Sequence, residues 1–267
     1  MRLTIYHETV YRYDRLIQGL ASQLYIQPMN NERQILESFR LKVDPGTELY
    51  RYTDRFGNHV HHFTIPRRLD GLRLAAQSEV LTTSHHWSFR PPREFLLYEA
   101  TSPTARTPHH NEIREWAEGL SFGKTTPYEQ ARALTRAVKE RFRYEAGVTT
   151  VKDTALDLIR QGAGVCQDFA HFLLAVLRLY RIPALYVSGY LVPDDMRPTA
   201  THAWVMAYVG ATGADEWVGF DPVTGEESND RYVWLAVGRD YDDVTPVRGV
   251  YQGPGRETMH VHVNADQ

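Results

Sequence analysis

The sequence predicts an α+β fold, in which a β-rich N-terminal domain precedes a domain that begins with helices and ends with strands. From Leu3 to about Glu99, short segments of alternating or β-branched and aromatic residues are separated by turn residues. From Asn111 the apolar residues recur at helical spacing, and the helix predicted from Cys166 is apolar on nearly every face. After Pro183 the pattern returns to strand-like runs. Strands and helices in separate blocks are typical of α+β rather than of α/β proteins.

The N-terminal half contains four clear strand patterns, which are Leu3–Tyr13, Ser38–Val43, His59–Ile65 and Leu72–Thr82. Turn residues such as Gly57-Asn58 and Asp70-Gly71 lie between them. Four prolines between Phe89 and Pro108 favour a linker or a crossing segment, and we place the domain boundary there. We therefore predict a sandwich-like β domain over residues 1–100 and a second domain over residues 101–267 that includes the C-terminal strands.

The second half begins with predicted helices and continues with strands. The helices cover Asn111–Leu120, Pro127–Phe142, Thr154–Arg160 and Cys166–Tyr180. The strands cover Ala184–Val192, Thr201–Val209, Glu216–Phe220, Arg231–Val237 and Thr258–Val263. Because the helix from Cys166 is apolar on nearly all sides, we expect it to lie at the centre of the domain, packed on an antiparallel sheet.

Charge and hydropathy exclude several classes of partner. The 267 residues carry 30 basic and 33 acidic side chains, a net charge of −3, so there is no overall basic field for nucleic acid or an anionic membrane. The longest apolar stretch, Phe172 to Leu177, is far shorter than the ~20 residues that span a bilayer. The N-terminus lacks the pattern of a secretory signal. We expect a soluble, cytoplasmic protein that recognises its partner in a local site.

Cys166 is the only cysteine in the sequence, so it forms neither an internal disulfide nor a cysteine-rich zinc site. It follows a turn that contains Gly162 and Gly164, and it begins the predicted central helix. Free backbone N–H groups and the helix dipole at such a position stabilise a thiolate and also a developing oxyanion. The alternative is that Cys166 is a small apolar residue of the core.

A nucleophilic cysteine needs a base and a third group that orients the base. The predicted strand pairing makes His202 the candidate base and Asp221 the candidate orienting group. The turn from 210 to 215 suggests that their two strands form an antiparallel pair. If paired residue numbers sum to 423, Asp221 lies opposite His202, and if they sum to 425 it lies diagonally on the same face. A sum of 424 would place Asp221 on the other face.

Other candidates for a functional role carry weaker signals. His59 with His61, and His260 with His262, share strand faces at a spacing that can chelate a metal, but no third ligand is placed to complete either site. Gln161 and Tyr144 are candidate side-chain donors to an oxyanion. Trp204 and Trp217 are either walls of a substrate groove or, more commonly for paired strands, core residues.

Several blocks of the sequence together resemble the bacterial transglutaminase-like superfamily. The blocks are 162–170 (Gly-Ala-Gly-Val-Cys-Gln-Asp-Phe-Ala), 181–184 (Arg-Ile-Pro-Ala), 187–190 (Val-Ser-Gly-Tyr), 202–205 (His-Ala-Trp-Val) and 217–222 (Trp-Val-Gly-Phe-Asp-Pro). Residues 6–13 and 54–58 resemble the β-rich N-terminal domain of many bacterial members, and residues 237–246 resemble their C-terminal segment. Thr201 and Met206 depart from the family pattern, which more often has serine and an acidic residue there.

The resemblance implies a papain-like thiol fold with Cys166 as the nucleophile, His202 as the general base and acid, and Asp221 as the orienting carboxylate. It also implies cysteine-dependent acyl transfer on an amide bond through a thioester, with a peptide or protein as the substrate. The sequence lacks the Asp-x-Asp-x-Asp-Gly loop that binds calcium, so we expect no cofactor or metal and favour hydrolysis by a peptidase or amidase. The alternatives are a transglutaminase, a non-catalytic peptide-binding module that retains the fold, and a thiol that senses oxidants.

Overall fold

The computed structural model describes residues 1–83, 94–120, 125–193, 200–210 and 217–266, and these form a mixed α+β structure. Its first strands are β1 (Arg2–Leu24), β2 (Gln34–Asp44), β3 (Tyr50–Thr53), β4 (His59–Ile65) and β5 (Leu69–Thr82). Next come the helices and two short strands, namely α1 (Glu94–Thr101), α2 (Asn111–Glu118), α3 (Pro127–Arg141), β6 (Arg143–Tyr144), α4 (Ala155–Gln161), β7 (Ala163–Gly164) and α5 (Cys166–Leu179). The last strands are β8 (Ala184–Leu191), β9 (Ala200–Tyr208), β10 (Trp217–Asp221), β11 (Glu226–Glu227), β12 (Tyr232–Gly238), β13 (Val247–Gln252) and β14 (Glu257–Asp266).

Strand β1 organises the first sheet. Its first half pairs with β5 on one side and with β14 on the other, and its second half pairs with β4 and β13. Because one 23-residue strand belongs to both halves, the antiparallel sheet curls around an apolar cluster drawn from β1, β2, β4 and β5. Buried and exposed side chains alternate along much of β1, as the period of a strand requires.

The pairing of the C-terminal strands differs from the sequence-based assignment, which placed them with the second domain. Strand β14 lies beside β1 from Thr4↔Asp266 to Tyr13↔Glu257. Strand β13 lies beside the other end of β1, from Gln18↔Gln252 to Leu24↔Val247. Both therefore complete the sheet that the N-terminal segment begins. Alternation reports which face of a strand is buried but not which strand lies beside it, so the sequence pattern alone could not give this pairing.

The second sheet has the strand order β11-β10-β9-β8-β12, and helix α5 packs against β8 and β9. The helix is buried on all sides from Phe169 to Arg178, as its sequence predicts. Helices α2, α3 and α4 cover its remaining surface and share one apolar cluster with it. The helix therefore holds its first residue, Cys166, in a fixed position relative to the sheet.

Side chains of the N-terminal segment bond to the backbone of β12, the terminal strand of this sheet. The Gln34 amide accepts from the Trp234 N–H at 2.8 Å and donates to the Trp234 carbonyl at 2.9 Å. The Asn58 amide does the same for Val237, at 2.8 Å in both directions. These amides satisfy backbone groups that the edge of a sheet leaves unpaired. The N-terminal strands are thus built onto the second sheet rather than loosely tethered to it.

The proline-rich segment that the sequence assigns to a linker includes helix α1, whose Ala100 is fully buried. The Arg178 guanidinium, itself buried, donates to the Ala100 carbonyl at 3.1 Å and to the Thr107 hydroxyl at 2.6 Å. It also donates to the carbonyls of Ala184 and Arg239. One side chain of α5 therefore ties this segment to the central helix. In the described parts of the chain, no helix is long and apolar enough to span a membrane.

Gly189 is required by close packing, and Gly189→Ala is expected to destabilise the fold. A Cβ there would lie 2.1 Å from the Val233 carbonyl oxygen and 2.4 Å from the Trp204 ring. Overpacking of this kind costs typically about 1–3 kcal/mol, and we expect a loss of at least about 2 kcal/mol in the free energy of unfolding. Urea unfolding measures it. Gly46→Ala is the control because a Cβ at Gly46 meets nothing within 4 Å, so equal midpoints for the two variants would contradict the packing argument.

Candidate active site

Helix α5 begins at Cys166 because Asp168 caps it. The Asp168 carboxylate accepts from the Val165 N–H at 2.8 Å and from the Thr149 hydroxyl at 2.7 Å. A Cβ on Gly164 would lie 2.7 Å from the same carboxylate, so only glycine lets the cap approach this closely. Burial raises the pKa of Asp168, while the bond to Val165 lowers it. The cap therefore fixes the turn that presents Cys166 at the positive end of the helix dipole.

Strands β9 and β10 bring His202 and Asp221 together through the second of the two registers that the sequence allows. Trp217 pairs with Tyr208 and Phe220 pairs with Val205, so paired residue numbers sum to 425. Asp221 accordingly lies diagonally from His202 on the same face. The His202 Nε2 is 2.8 Å from Asp221 Oδ2.

Three donors surround the fully buried Asp221 carboxylate. His202 Nε2 and the Tyr232 hydroxyl, at 2.7 Å, both donate to Oδ2, and the Val223 N–H donates to Oδ1 at 2.8 Å. Burial raises the pKa of Asp221, but these bonds and the charge of His202 outweigh burial and lower it. Asp221 is therefore an anion that holds the Nε2–H of His202 in place.

The His202 imidazole lies between Asp221 and Cys166. With Nε2 bonded to Asp221, the Nδ1 atom is left to face the Cys166 thiol, with which the ring also hydrogen-bonds. Burial lowers the pKa of His202, but the bonds to Asp221 and Cys166 outweigh it and raise the pKa to about 10. The ring stacks on Trp204, with centroids 6.1 Å apart and an interplanar angle of 25°. A protonated imidazole beside the sulfur is the arrangement that stabilises a cysteine thiolate.

The three predicted site residues thus meet in one place, and the site is open to solvent on one side. Cys166 is half-buried and, with His202, lines a cleft of about 760 Å³. The second sheet and the turn around Lys152 form one wall of the cleft, while β1, β13 and β14 form the other. A cleft of this size is within the usual range for binding sites.

An oxyanion formed at Cys166 would lie near the start of α5. The Cys166 N–H is in the first turn, where backbone donors have no acceptor within the helix. Of the two candidate side chains, Gln161 is engaged, since its amide donates to Asp153 Oδ2 at 3.3 Å. Burial raises the pKa of Tyr144, and the nearby Cys166 thiolate raises it further. Tyr144 therefore lies close to the sulfur, and its role as a donor stays a prediction.

Sequence reasoning missed the residues that support the triad. Tyr232 lies eleven residues beyond Asp221, on a strand that is not adjacent to β10, so its bond to the carboxylate leaves no short-range signal. Trp204 and Trp217 are both fully buried, which makes them core residues rather than groove walls. The alternation of the predicted strand does place Trp204 on the same face as His202, and this is the only sequence pattern that indicates their stacking.

The histidine pairs do not assemble a metal site in the structure as described. His61 is buried and hydrogen-bonds with Gln27 Oε1 at 2.7 Å, while His260 and His262 are exposed on β14. Among the described residues, no three His, Cys, Asp or Glu side chains are grouped closely enough to hold an ion.

Replacing His202 is expected to slow alkylation of the thiol. Without the imidazole, the Cys166 sulfur loses the cation that stabilises its reactive, ionised form. We therefore expect the rate of reaction of His202→Ala with iodoacetamide at pH 7 to fall by about one order of magnitude or more. Because Cys166 is the only cysteine, whole-protein mass spectrometry reports this site alone. Exposed His260→Ala is the control, and equal rates for both variants and wild type would contradict the ion pair.

The raised pKa of His202 predicts how its protonation contributes to stability. The contribution is fully present below pH 6.5 and is lost as the pH rises through about 10. Removing the Asp221 charge lowers the pKa of His202, so in Asp221→Asn the loss should occur at lower pH. Imidazole NMR of histidine-labelled protein measures this directly. A His202 resonance that titrates at the same pH in both proteins would refute the assigned pairing.

Comparisons with known proteins identify the family and the fold of this chain. The Transglutaminase-like superfamily profile matches residues 114–222, and the Bacterial transglutaminase-like N-terminal region matches residues 3–81. An uncharacterised protein of Mycobacterium leprae is 32% identical over 98% of this chain and 97% of its own, and one of Mycobacterium tuberculosis is 30% identical over 93% and 87%. The crystal structure of a proposed cysteine protease from Cytophaga hutchinsonii has a TM-score of 0.80 at 23% identity, covering 99% of this chain and 90% of that one, which shows the shared fold. The chain belongs to the transglutaminase-like superfamily and carries the bacterial N-terminal domain of that family.

Proposed function

We propose that this protein is a cysteine-dependent hydrolase of amide bonds in a peptide or protein, acting through Cys166, His202 and Asp221. The observation that carries the proposal is the His202 imidazole, which bonds with the buried Asp221 carboxylate at 2.8 Å and with the Cys166 thiol. A structural histidine needs no thiol and carboxylate on opposite ring nitrogens, whereas a general base and acid does.

In the first half of the reaction the Cys166 thiolate attacks the carbonyl carbon of the amide. A carbon–sulfur bond forms, and the negative charge moves to the carbonyl oxygen beside the Cys166 N–H. The tetrahedral intermediate collapses as His202 gives its Nδ1 proton to the leaving nitrogen, so the carbon–nitrogen bond breaks and an amine or ammonia departs. The acyl group remains on Cys166 as a thioester.

In the second half a water molecule attacks the thioester. His202, now neutral, takes a proton from the water, the carbon–sulfur bond breaks, and the carboxylic acid leaves with the thiolate–imidazolium pair restored. Asp221 stays ionised throughout, because its pKa is lowered, and it holds the ring in one tautomer.

The exposure of the site supports water rather than a second amine as the acceptor. A transferase must keep water away from its thioester, and bulky side chains over the sulfur are a direct means of doing so. Here Cys166 is half-buried in an open cleft, and Trp204 and Trp217 lie in the core. Transglutaminase activity is the second candidate and a non-catalytic peptide-binding module is the third. The cytoplasmic location also remains a prediction.

One experiment separates these activities. The full chain is incubated with a library of glutamine-containing peptides, with and without a labelled primary amine, and the products are weighed by mass spectrometry. We expect cleavage or deamidation in both samples and none with Cys166→Ala. Incorporation of the labelled amine as the main product would assign a transferase instead. Full activity of Cys166→Ala would overturn the proposal.

The control must show that a loss of activity reflects chemistry rather than unfolding. Cys166→Ala and Cys166→Ser remove the thiol with little change in volume, so urea midpoints close to wild type are expected for both. If the wild-type protein modifies no peptide while its thiol reacts rapidly with iodoacetamide, the hydrolase proposal fails and the oxidant-sensing alternative gains support.

A further inference from the structure

The first sheet lines the cleft along one continuous strand. His7, Thr9, Tyr11 and Tyr13 of β1 all face the cleft, since alternate residues of a strand point the same way. At a rise of about 3.3 Å per residue, the six steps from His7 to Tyr13 span about 20 Å. An extended peptide of about six residues has the same length. The cleft along this strand is therefore long enough for an extended peptide of about six residues.

The end of this wall nearest the catalytic residues is fixed by a buried network. His7 Nδ1 lies 2.6 Å from the Tyr190 hydroxyl, and its Nε2 lies 3.0 Å from the Thr9 hydroxyl. Tyr190 belongs to β8, whose Gly189 pairs directly with His202. Burial lowers the pKa of His7 to about 4, so this end of the wall is neutral. The charged side chains of this wall are Arg248 on β13 and Glu257 on β14, and they lie farther along the cleft.

Most charged side chains of the cleft compensate one another. The Arg106 guanidinium donates to both carboxylate oxygens of Asp242, at 2.8 and 2.9 Å. Arg106 lowers the pKa of Asp242 by this bond, and Arg248 lowers it further, so Arg248 also lies near that carboxylate. Lys152 lines the opposite wall, on the turn near Cys166. The cationic groups are therefore gathered around Asp242 and the catalytic end.

Glu257 is exposed at the other end, beside Tyr13. It is the strand partner of Tyr13, whose ring is 5.1 Å from that of Tyr251. Burial and, to a smaller extent, the Glu257 carboxylate raise the pKa of Tyr13 to about 12. Glu257 forms no ion pair with any cationic side chain of the described residues. A carboxylate beside a pair of tyrosine rings is a favourable site for an ammonium or guanidinium group.

We propose that the cleft binds an extended peptide that carries a lysine or arginine about six residues from the reacting amide, and that Glu257, Tyr13 and Tyr251 bind this cation. The inference rests on the proposed function, because it takes a peptide amide to lie at Cys166. The cation is an anchor and not the attacking amine, since the strand places its site about 20 Å from His7. The N-terminal domain and the C-terminal strands would thus set the register of the substrate.

Binding to full-length Cys166→Ala tests the inference without requiring turnover. The probes are capped decapeptides of alanine and serine with one glutamine near one end and one lysine placed three to eight residues away, in both chain directions. Calorimetry measures their affinity. We expect the tightest binding when five to seven residues separate lysine from glutamine, in one direction only. Acetylation of that lysine should weaken binding by about 3- to 10-fold, the effect of losing a partly exposed ion pair and a cation–π contact.

Glu257→Gln in the Cys166→Ala background should remove the difference between the lysine and acetyl-lysine peptides. Glu79→Gln is the matched control, because Glu79 is an exposed glutamate on β5 that does not line the cleft. The inference is overturned if no peptide binds or if affinity does not depend on the position of lysine. It is also overturned if Glu257→Gln still binds the lysine peptide more tightly than the acetyl-lysine peptide. If the predicted dependence holds while wild-type protein modifies no peptide, the cation site stands and the proposed hydrolysis fails.

Discussion

The site depends on burying the carboxylate of Asp221. An isolated ionised carboxylate is strongly disfavoured in an apolar interior, so each of its oxygens must be bonded. The strand pairing of β9 and β10 brings His202 to one oxygen, the turn after Asp221 brings the Val223 N–H to the other, and β12 brings the Tyr232 hydroxyl. Strand β9, the turn after Asp221 and strand β12 must therefore all be in place before the charge is compensated. The same bonds lower the pKa of Asp221 and raise that of His202.

The order of the triad and the central helix could be predicted because their signals are local. Cys166 follows glycines and precedes an apolar run, and His202 begins an alternating strand. The sequence between the two predicted strands, rich in glycine, limited the register to a few values, of which two put Asp221 on the correct face. The structure selects the diagonal one. Tyr232 could not be predicted, because its contact depends on where β12 lies and no local pattern reports that.

The difference between local signals and long-range contacts also explains which other parts of the fold could be predicted. Strands predicted from alternation in the N-terminal half are present, but β1 continues to Leu24 through a segment whose polar residues break the pattern. Helix α1 lies where prolines suggested a linker, because tertiary contacts with Arg178 stabilise it. The C-terminal strands pair with β1 across almost the whole length of the chain. Local propensity indicates which segments become strands or helices, while long-range burial decides where they pair.

The strands at the two ends of the described chain, β1 and β14, lie side by side and together line one wall of the cleft. Strands β1 and β14 close the first sheet around the N- and C-terminal segments, so the catalytic residues lie within a long insertion between them. The cleft then needs both ends of the chain for one wall and the middle of the chain for the other. Gln34 and Asn58, from the N-terminal strands and their loops, bond to the backbone of β12 at the edge of the second sheet. These bonds fix the first sheet against β12, the strand that also carries Tyr232. The position of the first sheet and the hydrogen bond that Tyr232 donates to Asp221 therefore both depend on where β12 lies.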